Sequence, residues 1–326
     1  MVNESSHKNF CIVGIGDHCK KNIIPALKTL NKKILGIVTT QLDYKIGTDT
    51  LIFSNIDSAI NNLPKNTVFL LSTPPKYHIQ DILKVLKSDR NVYVEKPAFV
   101  ESTYLHEIEE ICFQRKLILV ELFMYKYTKI YKKFIETWYK HLKSIKSLEI
   151  KFYIPSIPKN TFRENLDVLD TAIYDIGCYP LSLMAEIDID LTKLNVKKFS
   201  YNSPADQSFV LSDNNNNIKK MISFGVGYEY QNYINIKLRN NKEIIFKLFF
   251  YGKSVSKSLE EYDKNTKMLT KSNIFLDNNG FEKMLDKKKN YWFLSQNDRF
   301  KKISDVTKAL EKISLKVKEK LFSNLE

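Results

Sequence analysis

Residues 10–30 read FCIVGIGDHCKKNIIPALKTL, and the fold turns on them. Phe10-Cys11-Ile12-Val13 is a short apolar run of strand type. Gly14-Ile15-Gly16-Asp17-His18-Cys19 follows as a glycine-rich turn, after which Ile23, Ile24, Leu27 and Leu30 recur at helical spacing. Strand, glycine turn and helix in that order are the context a dinucleotide fingerprint requires. Gly14 permits the tight turn, and Gly16 lets the backbone approach a pyrophosphate at the helix N-terminus. Cys19 stands where the third glycine would be, and cysteine is small enough for the helix to pack near the strand.

A second strand, Ile34–Val38, ends in Thr39-Thr40-Gln41. An NAD-binding unit usually places an acidic residue here to bond the ribose 2′-hydroxyl. A carboxylate would repel a 2′-phosphate, so its absence leans toward NADP(H). Lys45 is a candidate clamp, and nearby Asp43 keeps NAD(H) open. Further on, a helix over 57–63 precedes the strand Thr67–Leu71, which Ser72-Thr73-Pro74-Pro75 breaks; Lys76-Tyr77-His78 then leads into a helix over 79–86. The next strand, Val92-Tyr93-Val94, runs directly into Glu95-Lys96-Pro97. Charges there sit at the carboxyl end of a strand, where open α/β sheets place their ligands. Pro97 fixes its own φ, so the Lys96 ammonium is aimed. A helix near 103–114 and a strand over 117–121 complete an alternation that predicts a parallel, doubly wound sheet.

From about residue 144 the pattern changes. The runs 148–154, 196–201, 221–226, 233–238 and 243–250 cluster strand formers without long helices between them. Asn-rich turn signals at 213–217 and 239–241 separate them. The expectation is an α+β second half on a large, mostly antiparallel open sheet, so that residues 1–124 form a Rossmann domain and 125–326 a substrate-binding and oligomerisation domain. The Lys/Glu-rich tail from Gly280 reads as a helix returning to the body. Between the halves, Asp175 and Tyr179 are i and i+4 on a helical segment and share a face.

Composition is that of a globular protein, 43% hydrophobic and 27% charged. No apolar run reaches the roughly 18 residues that span a bilayer, and MVNESSHKNF lacks a secretory apolar core, so a cytoplasmic protein with no membrane partner is expected. The four cysteines have neither metal-ligand nor redox spacing, and no metal site is expected. The net charge of +14 invites an anionic partner, but no nucleic-acid module is present and the lysines are dispersed.

Taken together, GIGDHCKKNIIPALK, STPPKYHIQDILKVLKSDRNVYVEKPAFV, ELFMYKYTKIYKKF and FRENLDVLDTAIYDIGCYPLSL resemble the glucose-fructose oxidoreductase / inositol dehydrogenase / MocA family. The resemblance implies an N-terminal Rossmann domain, and a C-terminal sheet that packs against substrate and against another subunit as a homodimer or homotetramer. It implies a cofactor lying along Gly14, Gly16, Asp17, His18, Thr39, Thr40, Ser72, Thr73, Pro74, His78, Glu95 and Lys96. Substrate is then expected at Lys96, Tyr125, Arg163, Asp175 and Tyr179. Glu95-Lys96-Pro97 matches the family's Glu-Lys-Pro signature, whose lysine is catalytic, and Asp175 and Tyr179 match its Asp-x-Gly-x-His/Tyr motif. Two departures stand out: Thr171-Ala172 replaces a pair of glycines, and Tyr179 stands where inositol dehydrogenases carry histidine. The tyrosine form looks more like the branch with nucleotide-sugar ketoreductases.

The implied chemistry is hydride transfer between a nicotinamide and a carbonyl or hydroxyl carbon of a sugar, free or nucleotide-linked. Tyr179 would donate the proton, its phenol starting near pKa ~10, and Lys96 would lower that value and stabilise the oxyanion. Asp175 would hold Lys96 or a substrate hydroxyl, and Arg163 would contact substrate. A ketoreductase on a nucleotide-activated sugar leads; an NAD-dependent dehydrogenase of a free sugar, inositol or diol competes. A catalytically idle cofactor-binding subunit is a third reading, kept open by Cys19 and Thr171-Ala172.

Overall fold

The structure, a computed structural model, describes residues 8–44, 46–47, 49–155, 171–213, 217–286 and 296–323. It divides into two compact units. Unit one comprises residues 1–124 and 281–304, and unit two comprises 125–280 and 305–326. The segment 281–304, part of the C-terminal stretch by sequence, thus groups with unit one.

Unit one is built on six parallel strands: β1 (Asn9–Val13), β2 (Lys33–Val38), β3 (Leu51–Phe53), β4 (Val68–Leu71), β5 (Val92–Glu95) and β6 (Leu119–Leu122). Their order is β3-β2-β1-β4-β5-β6, the doubly wound arrangement the alternation predicted. Strands buried on both faces must be apolar throughout, and every residue of β4 is buried. The helices follow the apolar periodicity. α1 (Ile24–Thr29) continues a π-helical turn at Cys19–Ile23, and α2 (Ile56–Asn62) is capped by Asn55, whose side chain accepts from Ser58 N at 2.9 Å. In α3 (His78–Lys87), Ile79, Ile82, Val85 and Leu86 form one buried face; α4 (Leu105–Gln114) packs Leu105, Ile108 and Cys112 into the same core. The chain leaves β1 toward β2 and β3 on one side and resumes at β4 on the other. That reversal creates a crevice at the carboxyl ends of β1 and β4, where such sheets bind ligands.

Unit two carries eight strands: β7 (Ile145–Ile154), β8 (Asn195–Ser203), β9 (Asp206–Asp213), β10 (Lys219–Val226), β11 (Gln231–Leu238), β12 (Lys242–Lys247), β13 (Ser256–Asp263) and β14 (Leu269–Leu276). The order is β14-β13-β12-β11-β7-β10-β9-β8, antiparallel except for the β7–β10 pair. Alternate residues of β7 (Leu148, Ile150, Phe152) and β9 (Phe209, Leu211) point inward, as the pleat demands. The inward residues of β7 and β12 meet aromatic rings from α5 (Lys129–His141) and from the turn that follows β12. Phe134 lies 5.4 Å from Phe246 and 5.3 Å from Phe249, each ring edge to face. α6 (Cys178–Glu186) follows a π-helical stretch at Thr171–Gly177. A Cβ at Gly177 would stand 2.8 Å from the Phe224 ring, so only glycine lets this helix lie so close to β10. α7 (Gly280–Leu285) and α8 (Gln296–Phe322) end the chain. Phe300 and Ile303 of α8 join the core of unit one, while Lys312 donates to Thr192 O at 2.5 Å in unit two. Among the described residues no helix is long and apolar enough to cross a membrane.

One polar node ties the start of α5 to the end of β14. Asp277 and Lys257, both fully buried, pair at 3.1 Å. Asp277 also accepts from Lys129 N at 2.7 Å and Ile130 N at 3.3 Å, the open donors of the first turn of α5, and Lys257 donates to Tyr251 O at 2.6 Å. Removing one partner strands the other charge. Asp277→Ala is therefore expected to lower unfolding free energy by about 3–5 kcal/mol in urea melts, and Lys257→Met/Asp277→Ala together by less. A double variant as unstable as the single would show that the loss lies in the helix cap.

Candidate functional site

Gly14 has φ +85° and lies against β4. A Cβ there would stand 2.9 Å from Ser72 O and 3.0 Å from Thr73 N. Two backbone bonds hold this approach, Ser72 N to Val13 O at 2.7 Å and Gly14 N to Val38 O at 3.0 Å. Gly16 differs: a Cβ there would meet nothing within 4 Å, so its backbone faces open space at the head of the helix, where Lys20 N bonds Gly16 O at 3.0 Å. A turn closed beneath and open above fits a pyrophosphate. Cys19 is fully buried beneath the turn, and its thiol is pushed up to about 12 by burial, with the charge of Glu95 adding to the rise. It acts as a small neutral packing residue. Asp17 is exposed and bonded to Lys21 at 2.9 Å, which holds its carboxyl below the usual range.

At the end of β2, Thr39 is buried and its Oγ1 accepts from Gln41 N at 3.0 Å, while Thr40 and Gln41 are exposed. Lys45 and Arg163 lie outside the described residues.

The ends of β4 and β5 are joined by one side chain. His78, fully buried, places Nε2 at 2.8 Å from Thr73 O and Nδ1 at 3.0 Å from Pro97 O. Burial pushes its pKa below the ordinary value, against the pull of the two carbonyls. A neutral imidazole donates from one nitrogen only, so both carbonyls are satisfied together only by the protonated ring. Beside it, Lys96 is half-buried and its peptide bond to Pro97 is cis. Ala98 N donates to Glu121 at 2.8 Å. His18 Nε2 stands 3.4 Å from Glu95 Oε1 without hydrogen-bond geometry, and the His18 ring meets Phe281 edge-on at 5.5 Å. Unit one thus gathers Gly14, Gly16, Ser72, Thr73, His78, Glu95 and Lys96 at the carboxyl ends of neighbouring strands.

In unit two, Asp175 is half-buried, whereas every other residue from Ala172 to Ala185 is buried. Tyr179 is wedged among Phe152 (5.1 Å), Phe250 (5.7 Å) and Tyr125 (6.0 Å). Tyr125 is wholly interior. Its hydroxyl lies 2.7 Å from Ser182 Oγ, which itself donates to Tyr179 O at 2.9 Å, so Tyr125 is the donor in their contact. Burial raises the Tyr125 pKa well above 10, which keeps that proton in place. Sequence reasoning missed Glu121 and Ser182 as supports. An acidic residue inside the apolar run LILVEL was a readable signal for Glu121; Ser182 carried none.

The folded-state pKa of His78 is depressed, so the native protein binds fewer protons than the unfolded chain below ~6.5, and stability falls as pH falls through that value. His78→Gln is expected to cost about 1–3 kcal/mol near neutral pH, and the gap to the parent should narrow toward pH ~5.5 in urea melts. A gap that widened toward acid would mean that the imidazole is already charged in the fold, and a constant gap that its pKa does not change on folding.

No protein-family model matches the chain, and no curated protein matches it. Solved structures do. Over 94% of its length and 97% of the other chain it is similar to KijD10, a 3-ketoreductase from Actinomadura kijaniata in complex with NADP and TDP-benzene, at 15% identity and a TM-score of 0.77. A Gfo/Idh/MocA family oxidoreductase from Vibrio cholerae matches 95% of the chain over 98% of its own, at 11% identity and a TM-score of 0.69. A dehydrogenase from Chromobacterium violaceum covers 97% of both chains at 12% identity and a TM-score of 0.71. At such identities the likeness is one of architecture: the chain has the two-domain fold seen in Gfo/Idh/MocA oxidoreductases.

Proposed function

We propose that the protein is an NAD(P)-dependent oxidoreductase that reduces a carbonyl of a nucleotide-linked sugar, with NADPH as donor. The observation that carries this reading is the glycine turn at the switch point of the parallel sheet, tied through Ser72, Thr73 and His78 to the segment bearing Lys96. Gly14 and Gly16 fit a dinucleotide pyrophosphate by geometry. Cys19 is buried beneath the turn as a small neutral residue, at the start of the π-helical stretch. The ketoreductase direction and the nucleotide-linked substrate are supported by the likeness to KijD10, and NADP by that likeness and by Thr39-Thr40-Gln41.

The nicotinamide, when bound, supplies the hydride. The chain's own residues handle the oxygen. Reduction builds negative charge on the carbonyl oxygen, which Lys96 stabilises and to which Tyr179 gives a proton. The aromatic cage fixes the Tyr179 ring, and the Tyr125–Ser182 link holds the backbone that carries it. Asp175 orients a substrate hydroxyl or the lysine. In this reading the enzyme works in the cytoplasm as a homo-oligomer through the outer face of the eight-stranded sheet. Among the described residues Asn235 Oδ1 is buried there without a hydrogen-bond partner.

Lys96→Ala and Tyr179→Phe are each expected to lower turnover about 10²- to 10⁴-fold, with NADPH binding still measurable by fluorescence. The assay is consumption of reduced nicotinamide against a panel of nucleotide-linked keto sugars, with free sugars, inositol and diols run in the oxidative direction. Unchanged turnover in either variant sinks the assigned roles. Binding of cofactor with no turnover on any member of the panel would favour the idle subunit.

A further inference from the structure

The loop after β2 supplies no arginine, yet a cation stands at the end of that strand. It comes from the other side of the glycine turn. Lys20, in the first turns of the helix, reaches across so that its Nζ lies 3.2 Å from Gln41 Oε1 and 4.8 Å from the centre of the Tyr44 ring. The receiving loop is braced: Gln41 N donates to Thr39 Oγ1 at 3.0 Å, Tyr44 N to Gln41 O at 3.1 Å, and Thr39 N to Phe53 O at 3.0 Å. Amide oxygen and aromatic face together fix the ammonium over the strand end. Among the described residues no carboxylate lies within ion-pair distance of Lys20, whereas its neighbour Lys21 is bonded to Asp17 at 2.9 Å. An ammonium has three donors, and Gln41 accepts one of them.

In this architecture the 2′-substituent of the adenosine ribose lies at the end of the second strand, beside the glycine turn. We propose that Lys20, held by Gln41 and Tyr44, is the residue that selects a 2′-phosphate over a 2′-hydroxyl, with the exposed Thr40 hydroxyl beside it as a further donor. The inference rests on the NADP(H) reading above and names the group that enforces it. The phosphate dianion receives two charge-assisted donors from the ammonium, and Thr40 adds a neutral one. No carboxylate of Thr39–Gln41 opposes it, and Asp43 and Asp49, the acidic residues of the loop, are exposed to water that weakens their repulsion. Among the described residues the cation placed at the strand end belongs to the helix that precedes β2.

The test is equilibrium binding to the full-length chain, with NADPH, NADH, adenosine 2′,5′-bisphosphate and 5′-AMP as probes. The parent protein should favour NADPH over NADH and the bisphosphate over AMP. Lys20→Ala should weaken NADPH and the bisphosphate about 10- to 100-fold and shift NADH and AMP by less than about threefold. Lys20→Arg should keep the preference, and the bisphosphate affinity of the parent should fall more steeply with salt than that of Lys20→Ala. Retained NADH binding shows that the variant is folded. A parent that prefers NADPH and a Lys20→Ala variant with the same ratio would overturn the role of Lys20 and leave the cofactor reading standing. A parent that prefers NADH, or binds neither dinucleotide, overturns both.

Discussion

The approach of Gly14 to Ser72 and Thr73, too close for a Cβ, is the constraint from which the candidate chemistry of unit one follows. It forces the turn after β1 and the break after β4 into one layer, so a single residue without a Cβ decides where both loops stand. Thr73 and Pro97, so placed, present their carbonyls to the two ring nitrogens of His78, at 2.8 and 3.0 Å. The position of the Lys96 backbone is thus set by contacts that begin at residue 14, through loops that are adjacent in space only because β1, β4 and β5 are neighbours in the sheet. A buried histidine between two carbonyls links the loops through the one to which its neutral ring donates, and losing that bond leaves a polar group unsatisfied in the interior.

Unit two uses the same device on a different scaffold. Gly177 lets a helix touch the Phe224 ring, and the segment that follows sinks Tyr179 among aromatics. From Ala172 to Ala185 the chain is buried except at Asp175, the one carboxylate of those residues and the one that is partly exposed. In each unit a glycine contact places the backbone and a buried polar relay locks it, His78 in one and Tyr125–Ser182 in the other. The polar relays are what a change of side chain would disturb first, because each depends on a single partner pair.

How much of this was legible depends on whether the signal was local. Strand, glycine turn and helix at 10–30 could be read because apolar runs and glycines act within a few residues, and the same holds for β4, β5 and the spacing of Asp175 and Tyr179. β3 was missed because three residues at a sheet edge carry no period. The β13–β14 hairpin was missed because β14 is exposed on both faces, which erases the alternation a half-buried strand shows. The interior place of Tyr125, with its hydroxyl bonded to Ser182 fifty-seven positions away, was not readable from the sequence. Composition alone cannot show such a partner. The reach of Lys20 to Gln41 escaped for the same reason, a contact of twenty-one positions between two exposed-looking residues.

The charge of +14 acquires meaning only through this distinction between placed and unplaced lysines. Burial of an ammonium demands a counter-charge, and the interior lysines obey: Lys257 with Asp277, Lys220 with Asp213, Lys126 with Glu186. These pairs cancel within themselves and buried Arg90 is held by the Ile60 and Leu63 carbonyls, whereas most other described lysines carry their charge at the solvent-facing surface. Such charges act through water and salt over a Debye length of about 8 Å. They raise the local concentration of any polyanion, dinucleotide and nucleic acid alike, and so favour encounter without conferring choice. Choice between a phosphate and a hydroxyl on the same ribose requires an ammonium held at one place by neutral partners, so that its charge stays uncompensated until the ligand arrives. An amide oxygen and an aromatic ring meet that requirement where a carboxylate would defeat it, and Gln41 and Tyr44 are those two groups.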